Sequence, residues 1–217
     1  MLHELLSAVE ETLFMVFTSG LLTWIIGLPL GAYLSITRPH HLLGNAFIHK
    51  PLSLIMKTAL SIPYLVFMIA LIPFTRYLTG AQEGTLAAIL PLTLAGIPHF
   101  AKLTENAINK IPQGLIETAQ SVGATPFQTI YKVLIPEALP EIIQGLTSTL
   151  NHLLGFSLIA GTIGAGGLGN LVIVKGYYKF QVEYIAATIA ILMLLTLILH
   201  LCGNYIIHGN LKKMLPR

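Results

Sequence analysis

Residues 117–136 read Glu117-Thr118-Ala119-Gln120-Ser121-Val122-Gly123, then nine residues, then Val133-Leu134-Ile135-Pro136. This polar, helix-forming stretch is set between apolar segments that have the length of membrane spans. A loop built this way is suited to gripping another protein. It makes the chain a candidate coupling subunit whose energy comes from a partner.

The segments around the loop fix the class. Hydrophobic residues make up 54% of the chain and charged residues 10%, with mean hydropathy +0.77. A soluble surface needs about 25% charge. The apolar runs of roughly 20 residues cross a bilayer core of about 30 Å as helix, and helices satisfy their own backbone groups in lipid. Barrel strands alternate in polarity and are about 10 residues long. The reading is therefore an all-α integral membrane protein, one domain over 1–217. Its net charge of +3 is spread over loops and the tail and does not form a nucleic-acid surface. The single cysteine, Cys202, excludes an intrachain disulfide. Glu4, Glu10 and Glu11 precede the first apolar run without a basic residue. That run is therefore expected to remain in the mature protein.

Five spans are predicted, near 12–36, 53–74, 84–104, 141–163 and 183–207. A turn at Gly80-Ala81-Gln82-Glu83-Gly84 joins the second to the third, and the long loop 105–140 joins the third to the fourth. Arg38, Lys50, Lys57, Lys102, Lys110, Lys132, Lys212, Lys213 and Arg217 fall on one side; Arg76, Lys175 and Lys179 fall on the other. This bias places the long loop and the C-terminus in the cytoplasm and the N-terminus outside. Tyr177, Tyr178, Phe180 and Tyr184 are expected to form an interfacial belt, and Trp24 to pack against another helix.

The long loop reads as two short helices. Leu115, Ala119 and Val122 recur at helical spacing, with Gly123 as the stop. Thr125-Pro126-Phe127-Gln128 restarts the chain with an N-cap, a first-turn proline and a capping box. Phe127, Ile130, Tyr131 and Leu134 form one apolar stripe, and Pro136 and Pro140 are expected to stop this helix before span four. The mixed polar set of Glu117, Gln120, Gln128, Lys132, Glu137 and Glu141 suits a protein partner better than a lipid surface.

The spacing Glu117-x-Ala119, Gly123, then aliphatic-x-aliphatic-Pro136 resembles the EAA loop of ABC importer permeases. Thr118 stands at the first alanine, and Val133 and Ile135 where the consensus has Ile and Leu. Gly27-Leu28-Pro29, Ser61-Ile62-Pro63, Ile72-Pro73-Phe74-Thr75-Arg76, Glu105-Asn106-Ala107, Gly123-Ala124-Thr125-Pro126, Leu134-Ile135-Pro136-Glu137-Ala138-Leu139-Pro140 and Gly164-Ala165-Gly166-Gly167-Leu168-Gly169 are similar to methionine importer permeases. The resemblance implies a bacterial inner-membrane permease that transports methionine by alternating access. It also implies a homodimer, two ATP-binding subunits that bind ATP and Mg, and a substrate-binding lipoprotein. Glu117, Ala119, Gly123 and Pro136 become the candidate coupling residues. The alternatives are another amino acid or small apolar solute as cargo, an ion-driven carrier, or a membrane scaffold.

Gly164-x-Gly166-x-x-Gly169 matches a dinucleotide fingerprint in letters but follows a membrane span where a strand is required. Flexible backbone at the outer mouth is the preferred reading. With no phosphate loop and no nucleophile–base pair, neither catalysis nor a cofactor is expected in this chain. His40-His41 lacks the further ligands of a metal site. Pro29, Pro63, Pro91 and Pro98 are expected to kink spans, and Gly27-x-x-x-Gly31 to form a close-packing face. Mid-span acids, usual in ion-driven carriers, are missing. His152, Asn151, His200 and Asn204 are expected to bond between helices. Ser61, Pro63, Pro98, Ser157, Ile159 and Thr162 are the candidate lining of a passage at the dimer axis.

Overall fold

A computed structural model describes residues 1–39, 42–80 and 84–207; these are helical throughout, with no strand among them. His40-His41, the turn residues 81–83, and Lys212, Lys213 and Arg217 lie outside the described residues. In chain order the helices are α1 (Leu2–Ile36), α2 (Ala46–Ser61), α3 (Tyr64–Thr79), α4 (Thr85–Asn109), α5 (Gln113–Ser121), α6 (Pro126–Thr129), α7 (Ile135–Thr162), α8 (Gly167–Leu171) and α9 (Val182–Ile206). One π-helical turn, Ile130–Leu134, joins α6 to α7, and another, Val172–Tyr177, follows α8.

Three helices, α1, α4 and α9, are each long and apolar enough to cross a bilayer. Two bent pairs raise the count to as many as five: α2 with α3, bent by 104°, and Pro126–Thr162 with Gly167–Tyr177, bent by 44°. The helix of the first candidate span begins at Leu2, ten residues before the expected 12. What reads as a second span is two helices. Pro63 lacks an N–H and holds Ile62 in an extended conformation (φ −77°, ψ 125°), which ends α2.

Pro29, Pro91 and Pro98 sit inside unbroken α-helices. On either side of Pro91 in α4, hydroxyls of α1 reach across the helix pair. Ser19 Oγ donates to the Ile89 carbonyl at 3.2 Å and Thr23 Oγ1 to the Thr93 carbonyl at 3.4 Å. Such donors, with close packing, let a membrane helix carry proline. Packing is close because a Cβ on Gly27 would fall 2.9 Å from the Phe100 ring, and one on Gly31 would fall 2.6 Å from Thr104 Cβ. The Gly27-x-x-x-Gly31 face is thus the α1–α4 seam. Trp24 is not packed in it; it is exposed beside Leu21 and Ile25.

Two apolar clusters make up the core. One gathers Met15, Tyr64, Leu92, Leu153 and Ala160; the other gathers Phe100, Ile108, Ile116, Leu134 and Ile142. The second brings the α5–α6 hairpin into the core. By contrast α9 buries only Tyr184, Thr188 and Gly203, and its other faces are apolar and exposed.

Candidate functional site

The α5–α6 hairpin is held by local rules. At the end of α5 the Ala124 N–H donates to the Ala119 carbonyl (3.1 Å) and the Gly123 N–H to the Gln120 carbonyl (2.9 Å). This Schellman pair needs a left-handed residue, and Gly123 supplies it with φ 79°. Thr125 Oγ1 then accepts from the Gln128 N–H (3.3 Å) while Gln128 Oε1 accepts from the Thr125 N–H (3.0 Å), which closes the capping box.

Burial sorts the hairpin into a root and a face. Ile116, Ala119 and Leu134 are buried, with Leu134 at 0% exposure. Leu115, Val122, Phe127 and Tyr131 are exposed, and Phe127 and Tyr131 stack with ring centroids 6.3 Å apart. The single stripe expected from 127, 130, 131 and 134 is therefore split: Leu134, with Ile130 against it, turns inward and the two aromatics turn out. Glu117 is exposed beside them, whereas Ala119 belongs to the root. A Lys110–Glu141 ion pair of 2.8 Å ties the end of α4 to the start of α7 below the hairpin.

Pro136 does not stop the helix. It occupies the first turn of α7, and Pro140 lies inside it. The preceding π turn widens the helix, with the Ile135 N–H bonded back to the Ile130 carbonyl. Helical structure therefore runs from Pro126 to Thr162, because proline needs no N–H partner at the start of a helix.

At the opposite end of the bundle the glycine loop is gripped rather than flexible. Glu11 Oε2 accepts from the Gly167 N–H (2.6 Å) and Thr12 Oγ1 from the Leu168 N–H (2.9 Å). The Gly84 N–H donates to the Gly164 carbonyl at 2.8 Å, so the two turns of this end meet. A Cβ on Gly169 would strike the Leu158 backbone, which gives the third glycine a packing reason. Glu4 receives hydrogen bonds from Lys175 and from Tyr184 Oη. These contacts tie the start of α1 to the turn after α8 and to α9. Tyr184 is therefore buried and leaves the expected belt, whereas Tyr177, Tyr178 and Phe180 stay exposed.

Between α7 and α9 lies a cavity of about 470 Å³ lined by Gln144, Thr147, Ser148, Asn151, His152, His200, Gly203 and Asn204 among others. Asn151 Nδ2 lies 3.2 Å from His200 Nδ1, which also faces the Thr196 carbonyl at 2.9 Å; this is the expected interhelical contact. Sequence reading missed this cavity as a site. The signal was present: residues 144, 147, 148 and 151 are a polar stripe at helical spacing on an apolar helix.

The candidate passage residues are not brought together. Ser61 and Pro63 lie exposed at the α2–α3 bend, while Pro98 and Ser157 are buried inside the bundle. Ser157 Oγ and Thr162 Oγ1 donate to carbonyls on their own helix, of Leu154 and Ile159, each at 2.7 Å. Ile159 packs half-buried against the first core cluster.

Comparison with known proteins follows this geometry. Residues 13–210 match the family described as binding-protein-dependent transport system inner membrane component. A probable D-methionine transport system permease protein, MetI, of Vibrio cholerae is 42% identical over 94% of this chain and 90% of its own length. The D-methionine transport system permease protein MetI of Escherichia coli K12 is 44% identical over 74% of each chain. A solved structure of the MetNI methionine ABC transporter, described as inward facing, superposes with TM-score 0.95 at 39% identity over 96% of this chain and 97% of that one. An amino acid ABC transporter with histidines shares the fold, at TM-score 0.76 and 20% identity over 94% and 92% of the two chains.

Proposed function

We propose, from the premise that this chain belongs to the family of binding-protein-dependent transport system inner membrane components, that it is the permease subunit of an ATP-driven methionine importer. The single observation carrying the reading is the hairpin 113–134, rooted in the core yet exposing Leu115, Val122, Phe127 and Tyr131. A small apolar face with polar neighbours is the anatomy of a protein interface. The cargo follows from the likeness to the MetI proteins and to the MetNI complex over nearly the whole chain.

In this reading the hairpin lies in the cytoplasm and the N-terminus outside. The permease pairs with a second copy across exposed apolar helix faces, and an external binding protein delivers substrate near the glycine loop. Two ATPase subunits bind ATP and Mg and dock on Glu117, Gly123 and the exposed apolar side chains. ATP-driven closure of those subunits moves the hairpins and exchanges inward-facing for outward-facing states. The drive is the difference in ATP affinity between the two states. Pro136 keeps α7 helical up to the hairpin and makes no turn of its own. Ser61, Pro63, Pro98, Ser157, Ile159 and Thr162 remain the proposed neighbourhood of the passage. Pro98 and Ser157 shape it from inside the bundle, and the cavity between α7 and α9 forms its cytoplasmic half.

The test is reconstitution with the ATPase subunit and the binding lipoprotein in liposomes. Uptake of labelled methionine should require ATP and persist when ion gradients are collapsed. Uptake that follows an ion gradient, or failure of any ATPase to co-purify, sinks the reading. Displacement of methionine by another amino acid at lower concentration reassigns the cargo.

A further inference from the structure

An aromatic ladder joins α3, α7 and α4 and leaves polar atoms unbonded. Tyr64 stacks on Phe156 with ring centroids 4.0 Å apart, Phe156 meets His152 edge-on at 4.7 Å, and His152 stacks on His99 at 4.5 Å. Tyr64 Oη and His99 Nε2 are buried without a hydrogen-bond partner, and so is Asn151 Oδ1, next to His152 on α7. Buried polar atoms in folded proteins are almost always bonded, so three exceptions around one stack require an explanation. The four rings line a single cleft of about 60 Å³, with Leu60, Phe67, Leu94 and Ala95 among its apolar walls. His152 also lines the 470 Å³ cavity, so the cleft and the cavity meet at this ring.

We propose that this junction is a recognition station for the zwitterionic head group of an amino acid in transit; the inference rests on the reading of the chain as a methionine permease. The atoms divide by chemistry. Tyr64 Oη–H and the His99 ring N–H are donors and suit a carboxylate. Asn151 Oδ1 is an acceptor and suits an ammonium. The apolar walls take the thioether side chain. The two stacks fix the ring planes of Tyr64 and His99, so the donors stay placed when the station is empty. None of the three groups needs a formal charge, so the empty station leaves no unpaired ion in the low-dielectric interior. Neutral donors also bind weakly, and weak binding lets a solute leave as readily as it enters.

Tyr64→Phe and His99→Phe keep the rings and delete only the polar atoms. The complex of permease and ATPase subunit in lipid nanodiscs, without the binding protein, is titrated with tritiated methionine. Competitors are the decarboxylated amine of methionine, which lacks the carboxylate, and its deaminated acid, which lacks the ammonium. Wild type should bind methionine about tenfold more tightly than either analogue. Tyr64→Phe and His99→Phe should each weaken methionine about tenfold and leave the amine unchanged. Asn151→Leu should weaken methionine and leave the acid unchanged.

Equal weakening of all three ligands shows packing damage only and overturns the station. So does unchanged binding in every variant, in which case water bonds the buried atoms, and so does the absence of saturable binding by wild type. Uptake by the same purified complex, reconstituted in liposomes with the binding protein, keeps the failures apart. If wild type imports no methionine, the functional reading fails. If it imports methionine while the variants bind all ligands as wild type does, only the station fails.

Discussion

Replacing Gly123 by alanine places a methyl group where the backbone is left-handed and the surroundings are empty. The residue has φ 79°, and a Cβ built on it meets no heavy atom within 4 Å. The whole cost is therefore conformational, about 1–2 kcal/mol for an L-residue in that region. It falls on the two hydrogen bonds that close α5. That helix has nine residues and buries only Ile116 and Ala119, so little else holds its end. A penalty of this size is a factor of about 5–30 in the population of the closed turn. If the ATPase subunit docks on the closed turn, Gly123→Ala should weaken its apparent affinity by up to that factor. Gly123→Asn, which tolerates the left-handed region, should stay close to wild type. The assay is transport-coupled ATPase activity of purified permease titrated with ATPase subunit. Permease yield and melting temperature serve as folding controls. Wild-type affinity in the alanine variant refutes the docking role of the turn. Equal loss in the alanine and asparagine variants means that volume at position 123, not backbone conformation, is what the partner senses.

Three further outcomes are expected. Phe127→Ala with Tyr131→Ala removes exposed rings, so permease melting should hardly change while affinity for the ATPase subunit falls at least about tenfold; a melting loss with intact association contradicts this. Gly31→Ala drives a methyl group against the Ala101 carbonyl and Thr104 of α4 and should cost about 1–3 kcal/mol by overpacking. Gly155→Ala, inside α7, meets nothing within 4 Å and should raise stability by up to about 1 kcal/mol; similar melting losses for the two refute the seam. The Glu4 clasp accepts from Lys175 and from Tyr184 of α9. Glu4→Leu should therefore lower the melting temperature of the permease, whereas Glu10→Leu should hardly change it; equal melting of the two variants rules the clasp out.

What could be read from the sequence divides along physical lines. The capping box at Thr125–Gln128 and the glycine stop at 123 are set by neighbours within a few residues, and both are where the sequence placed them. The two-way split of Phe127, Ile130, Tyr131 and Leu134 depends on where α4 and α7 stand, which periodicity alone does not contain. Pro136 reads as a stop because proline ends most helices; the π turn before it changes the outcome by widening the backbone ahead of the ring. The polar stripe of α7 is hard to read as a cavity because its partner wall, on α9, is about 50 residues away, and its hydroxyls can satisfy themselves locally. Thr147, for one, already bonds its own helix through the Ile143 carbonyl at 3.0 Å. The His99–His152 stack joins residues 53 positions apart, and no local pattern announces it.

The unbroken run from Pro126 to Thr162 has a mechanical consequence. The π turn Ile130–Leu134, anchored by Leu134 in the second core cluster, can serve as a fulcrum. At 1.5 Å per residue, Phe127 stands about 8 Å from the middle of that turn and His152 about 30 Å from it on the other side. The two arms are in a ratio of about four. A displacement of about 1 Å imposed on Phe127 would then swing the His152 level by about 4 Å, enough to open or shut a gap the width of a methyl group. In the proposed function the hairpin would act as the short end of a gear, and a partner would need to move it only slightly to reset the far half of the helix.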